Sequence, residues 1–243
     1  MCGRYAIDLN PDYIAEYYDV AIPADFTARY NVAPSQMIPV VCQDDSGRVV
    51  DFMRWGLIPP WSKNHEKYMI NARSETVTSK PSFKQAFRHR RCIIPASGFY
   101  EWRKSGNHKI PYYICLVDNS PMSFAGIWEK WRSPEKVVVE TCAILTTVAN
   151  ATIGPIHNRM PVILSQENLS VWLDGNAADS EKLLALLSPY SAEKIFAYPV
   201  STMVNNPKND RTECLERQSQ SIFDWALHSE RTAKKIYPEK IRL

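Results

Sequence analysis

Between Val137 and Val148 the chain carries its longest β-prone run, dominated by valine and threonine. Side chains branched at Cβ crowd the preceding turn of a helix but pack well on a pleated surface, so this run is read as a strand. Shorter strand-like runs lie at Met37–Cys42, Val49–Leu57, Cys92–Pro95, Gly98–Trp102, Ile110–Val117, Met122–Trp128, Val162–Leu164 and Ala197–Val200. Turn formers at Asp44-Asp45-Ser46-Gly47, Ser105-Gly106-Asn107 and Asp118-Asn119-Ser120-Pro121 join several of them directly, as hairpins require. Helical patterns are fewer: Pro11–Val20, Pro81–Arg88, Gln166–Leu173, Asp179–Leu187 and a final amphipathic stretch over Ser219–Ile236. Arg29–Pro34 and Ile156–Pro161 read as loops. Strands and helices do not alternate, which argues against a doubly wound parallel sheet. The expectation is a single α+β domain with a mainly antiparallel, barrel-like β-sheet core and peripheral helices. Residues 2–213 would form the domain, with 214–243 a helical C-terminal extension packed on it.

At 243 residues the chain can bury a substantial core, and 45% hydrophobic with 23% charged residues is an ordinary globular balance. A net charge of +3 does not by itself call for nucleic acid. No apolar run reaches the roughly 18 residues of a membrane span, and the start lacks the pattern of a signal peptide. A cytoplasmic setting is expected, nucleoid-associated in a bacterium or nuclear in a eukaryote. The six cysteines show no C-x-x-C pair. Cys42, Cys92, Cys115 and Cys142 sit in apolar runs as buried small hydrophobes, and neither they nor the five histidines have zinc-ligand spacing.

Cys2 stands apart because of its position. Removal of Met1 would leave one residue carrying both a thiol and a free α-amine, groups that titrate near about 8.5 and about 8. Such a pair captures an aldehyde twice. The amine forms an imine, and the sulfur closes a five-membered thiazolidine with the advantage of an intramolecular reaction. No internal cysteine can do this.

Other residues acquire meaning beside it. From Thr76 to Tyr100 there is no acid, while Lys80, Lys84, Arg88, Arg90 and Arg91 fall in the same window. Such a run is either a solvated basic face or a phosphate-tracking surface. Trp55 and Trp61, near chain-breaking residues, could stack unpaired bases or belong to the core. Glu101 lies among aromatics, where a carboxylate suits proton shuttling or a salt bridge. His157 is in a polar loop. Asn71 and Arg73 share one face of an extended segment, an amide and a guanidinium suited to an amine and a phosphate.

Taken together, Met1-Cys2-Gly3-Arg4-Tyr5, Arg29-Tyr30-Asn31-Val32-Ala33-Pro34, Trp55-Gly56-Leu57-Ile58-Pro59, Asn71-Ala72-Arg73-Ser74-Glu75-Thr76, Gly98-Phe99-Tyr100-Glu101-Trp102 and His157-Asn158-Arg159-Met160-Pro161 resemble the successive blocks of the SRAP (SOS response-associated peptidase) family of abasic-site processing proteins. The resemblance runs from Cys2 to about Glu213. It implies loss of Met1 and cross-linking of Cys2 to the ring-opened aldehyde of an abasic site in single-stranded DNA, as a thiazolidine that shields the lesion. It also implies an associated lyase activity. By the same resemblance Asn71 orients the α-amine, Glu101 shuttles protons and His157 assists sugar ring opening and imine chemistry. Arg4, Arg73 and Arg159 would contact phosphates, Pro34 and Trp61 would pack against flanking bases, and Thr146 would line the pocket. No metal or organic cofactor is implied, and the partner is single-stranded DNA containing abasic sites, bound by a monomer away from any membrane. Two other readings remain open at this level: an N-terminal-nucleophile hydrolase using the same Cys2, and a non-catalytic single-strand binder.

Overall fold

A computed structural model of the protein describes residues 2–63, 65–175 and 180–218. The chain opens with strand β1 (Tyr5–Ile7), helix α1 (Pro11–Tyr18), and strands β2 (Arg29–Val32), β3 (Met37–Asp44), β4 (Gly47–Trp55) and β5 (Asn71–Arg73). Helix α2 (Pro81–His89) leads into β6 (Arg91–Ala96), β7 (Gly98–Ser105), β8 (His108–Leu116), β9 (Met122–Arg132) and β10 (Val138–Val148). Then come β11 (Arg159–Pro161), β12 (Ile163–Leu164), the short helices α3 (Leu169–Leu173) and α4 (Ser180–Ala185), and β13 (Ile195–Pro199).

Strands β10, β4, β3, β6 and β9 pair in that order, and β9 pairs back onto β10, closing a five-strand barrel. All pairings in the ring are antiparallel except β10 with β4. Closure leaves the barrel without a free edge and surrounds a core that includes Val41, Met53, Trp55, Ile93, Phe124 and Ile144. A second sheet, in the order β13-β8-β7-β1-β2, stacks the aromatic residues Tyr100, Tyr113 and Tyr198 around a smaller cluster with Ala6, Val204 and Cys214. The fold is the mostly-sheet single domain with a barrel core that the strand pattern implies. Among the described residues no helix is long and apolar enough to cross a membrane.

Local chemistry explains the helix ends. Asn10 caps α1, its Oδ1 accepting from Asp12 N at 2.8 Å, and Pro11 supplies a preset φ at the first turn. The last carbonyls of α2, those of Phe87 and Arg88, are capped by the Arg91 guanidinium at 2.8 and 2.6 Å. Gly98 is demanded by close approach. A Cβ there would stand 2.5 Å from the Ile114 carbonyl oxygen, so only glycine lets β7 lie this near β8.

Two segments read as loops are strands. Arg29–Val32 forms β2 because its polar groups are spent on the segment Val204–Asp210: the Asp210 carboxylate accepts the Asn31 N–H at 2.9 Å, and Asn31 Nδ2 donates to Asn209 O at 2.7 Å. Arg159–Pro161 forms β11 against the end of β10. The helix expected over Gln166–Leu173 begins as a 3₁₀ turn at Gln166–Asn168 before α3. Residues 214–218 lie along β13, with Gln218 N donating to Pro199 O at 2.9 Å. The amphipathic stretch Ser219–Ile236 lies outside the described residues.

Candidate active site

The end of β10 builds the site. Gly56, at φ 138°, turns the chain away from the barrel just after β4, leaving the far end of β10 open on that side. β5 takes the place of β4 in parallel, with Asn71 opposite Ile144 and Arg73 opposite Thr146. On the other side β11 replaces β9, with Pro161 opposite Thr146 and Arg159 opposite Val148. One strand end thus gathers the Asn71–Arg73 block and the His157–Pro161 block. The N-terminus enters through β1, and Tyr100 N donates to Arg4 O at 2.9 Å, which brings the start of the chain beside β7 and Glu101.

Four side chains converge. Asn71 Nδ2 donates to the Cys2 carbonyl at 2.8 Å, while Asn71 Oδ1 is buried and has no hydrogen-bond partner among the described residues. Cys2 is 0% exposed, and its thiol lies 3.8 Å from Arg4 O. Burial, and after it the nearby Glu101 carboxylate, push the thiol well above its ordinary range, so the resting sulfur is protonated. Glu101, 4% exposed, has its Oε1 3.9 Å from His157 Nδ1. The same Nδ1 accepts the Arg159 backbone N–H at 3.0 Å. The same nitrogen also lies 3.3 Å from Arg159 O, the contact it would make as a donor. Beside this group opens a cleft of about 390 Å³ lined by Glu101, Trp102, Lys104, Lys109, His157 and Asn205. A thiol, a polarised N-terminal backbone, a carboxylate and an imidazole at these separations form a set able to attack a carbonyl and move its protons.

The chain's residues 1–207 match the family model for SOS response associated peptidase (SRAP). The chain belongs to the SRAP family. Among its relatives is the abasic site processing protein YoqW of Bacillus subtilis, 44% identical over 222 residues that cover 89% of this chain and 99% of YoqW. Another is the abasic site processing protein HMCES of Xenopus tropicalis, 31% identical over 93% of this chain and 84% of its own length. A crystal structure of a protein from Bacteroides thetaiotaomicron superposes with a TM-score of 0.81 at 29% identity, covering 90% of this chain and all (100%) of that one.

The SRAP residues expected at the DNA fall into different environments. Arg73 is exposed, and its side chain makes no hydrogen bond or ion pair among the described residues. Trp61 is 59% exposed, and Pro34 is half-buried. Thr146 is fully buried, with Oγ1 3.5 Å from Ala72 O. Arg4 is turned inward, donating Nη1 to Asn31 Oδ1 at 2.8 Å and to Val204 O at 2.7 Å, and burial lowers its pKa. Arg159 is also engaged: its fork grips the Glu75 carboxylate, with Nη2 to Oε2 at 3.0 Å, and Nη2 donates to Thr146 O at 2.6 Å.

The basic window divides. Arg91 is 5% exposed and caps α2, and Arg90 pairs with the buried Glu129, so neither tracks phosphate, whereas Lys80 and Arg88 are exposed. Trp55 is 0% exposed, its Nε1 donating to Ile70 O at 3.0 Å, and so offers no stacking surface. Asn31 and Glu75, which position Arg4 and Arg159, carry no signal of their own in the sequence beyond lying inside the SRAP blocks. Among the described residues no group of His, Cys, Asp and Glu is arranged to hold a metal ion.

Proposed function

We propose that this SRAP protein processes abasic sites in single-stranded DNA by covalent capture through Cys2 after hydrolytic removal of Met1. The observation that carries the reading is the placing of Cys2 between the Asn71 amide, which holds its carbonyl at 2.8 Å, and Glu101, which faces His157 at 3.9 Å. The freed α-amine would supply the donor that Asn71 Oδ1 lacks.

An abasic deoxyribose rests mainly as a closed hemiacetal. Glu101 and His157 act as the acid and base that open it. The α-amine nitrogen then adds to the aldehyde carbon, and water leaves to give an imine. The protonated thiol next gives its proton up, with Glu101 as the acceptor, while sulfur bonds to the imine carbon and the nitrogen takes a proton. The sum is aldehyde plus aminothiol giving thiazolidine plus one water. The imine also permits β-elimination, in which a proton leaves C2′ and the C3′–oxygen bond breaks, the basis of an associated lyase activity. Arg73 contacts a phosphate and Trp61 packs on a flanking base, consistent with their exposure. The protein would act wherever single-stranded DNA is exposed, in a nucleoid or a nucleus.

The test is a denaturing gel of purified protein with a single-stranded oligonucleotide bearing one abasic site, beside Cys2→Ala protein and an intact oligonucleotide. A detergent- and heat-stable shift that needs both Cys2 and the lesion is expected. Its absence in protein shown by mass spectrometry to lack Met1 would overturn covalent capture, and amidase turnover in the same preparation would favour a hydrolase.

A further inference from the structure

We propose that Trp102, Lys104 and Lys109 form a subsite for a nucleotide flanking the lesion, the two ammonium groups bracketing one of its phosphates. The inference rests on the abasic-DNA reading above and extends it to a surface outside the reacting residues. In the β7–β8 hairpin Lys104 stands directly opposite Lys109. Like charges at facing positions of an antiparallel pair repel, and a hairpin tip so exposed has no need of them. Neither ammonium has an ion pair or hydrogen bond among the described residues, so nothing among them relieves the repulsion.

Their location gives the charge a purpose. Both line the cleft of about 390 Å³ that also holds Glu101 and His157, a size within the range of small-ligand sites. β1 pairs with β7 at Gly98 and Phe99, and among the described residues the Tyr100 N–H to Arg4 O bond is the last on that edge. Among the described residues no strand pairs with that edge of β7 beyond Tyr100, and side chains from both faces of the strand, Glu101 on one and Trp102 and Lys104 on the other, line one cleft. Trp102 is fixed there: its Nε1 donates to Asn205 Oδ1 at 2.7 Å, and the Arg4 guanidinium lies 5.9 Å from the ring centroid. A held indole beside two unneutralised lysines suits a base and its phosphate, and their backbone-directed charge would be insensitive to sequence.

The probe is a single-stranded oligonucleotide with a tetrahydrofuran abasic analogue, which lacks the aldehyde and so reports binding without cross-linking. Affinity is measured against salt for wild type, Lys104→Ala, Lys109→Ala, the double variant and Lys104→Glu, together with thermal midpoints. The double variant is expected to bind about tenfold more weakly at low salt, with a log–log salt slope shallower by about 0.7 for each phosphate it no longer neutralises. Lys104→Glu is expected to weaken binding yet raise the thermal midpoint, because it turns a facing repulsion into attraction. Unchanged affinity and slope in the double variant, with wild type still cross-linking an aldehyde-bearing strand, would overturn the subsite alone. Affinity that falls only in step with the thermal midpoint would also overturn it, since the lysines would then be structural. Lysine-dependent binding by a wild type that never cross-links would overturn covalent capture and keep the subsite. No binding by wild type overturns both.

Discussion

Asn71 Nδ2 donates to the carbonyl oxygen of Cys2 at 2.8 Å, linking a strand at the end of the barrel to the segment that leads into β1 of the second sheet. The contact fixes the Cys2 backbone, while Asn71 Oδ1 has no partner among the described residues. Losing one such bond and leaving the carbonyl unpaired costs about 1–3 kcal/mol, a factor of roughly five to a hundred and fifty in rate if it is felt in the transition state. Asn71→Ala should therefore slow cross-link formation by that factor at saturating DNA. Binding of the tetrahydrofuran analogue should change little, because the amide faces the protein's own terminus. An equal loss in both would show that Asn71 acts on the DNA instead.

Glu101 has two opposed effects on Cys2. Its carboxylate adds to burial in raising the thiol, so Glu101→Gln should lower the pH at which Cys2 is alkylated while burial still holds it above a free cysteine. In the proposed mechanism the same change removes the proton acceptor, so it should slow cross-linking. The paired measurement is the pH profile of iodoacetamide labelling beside the rate of adduct formation. A carboxylate that only packs would leave the labelling profile in place.

The strand content is legible in the sequence because Val137–Val148 and the shorter runs are rich in branched and aromatic residues. Barrel closure is not, since it depends on which distant runs pair: β9 with β10 follows from a hairpin, but β10 with β4 joins Thr141 to Arg54 across much of the domain. β2 is hidden because Asn31 looks like a loop residue until Asp210 and Asn209 satisfy its groups. Trp55 and Trp61 are the same residue type on either side of the turn at Gly56, and only the fold tells the 0% exposed one from the 59% exposed one. Cys2, Asn71, Glu101 and His157 are legible as motif residues. That Glu75 occupies the Arg159 fork is not, because an ion pair between blocks 84 positions apart has no local signature.

That ion pair joins the segment after Asn71–Arg73 to the one bearing His157. Arg159 also gives its backbone N–H to His157 Nδ1, so its position bears on the imidazole. Glu75→Gln removes an anion from the side proposed to face DNA and frees the fork. Non-covalent affinity for single-stranded DNA should rise by roughly threefold to fivefold at low salt, while cross-linking at saturation should fall by a similar factor. Glu75→Asp, which keeps the charge, should restore much of the rate. Affinity and rate moving together would show that the pair has no positioning role.

The buried thiols should contribute to the alkaline limit of the fold. Burial raises Cys42 to about 12 and Cys115 to about 11, against 9.0 when unfolded. Because the folded values are the higher ones, this stability is complete below pH 9.0 and is lost as pH climbs from there toward 11 and 12. Each thiol should remove up to about 1.4 kcal/mol per pH unit within that window. Urea midpoints should be flat from about pH 7 to 8.5 and fall steeply by about pH 10.5. Cys42→Ala and Cys115→Ala should each begin less stable at neutral pH but lose less on the alkaline side. Parallel curves for wild type and both variants would place the alkaline transition on other groups, such as the buried tyrosines.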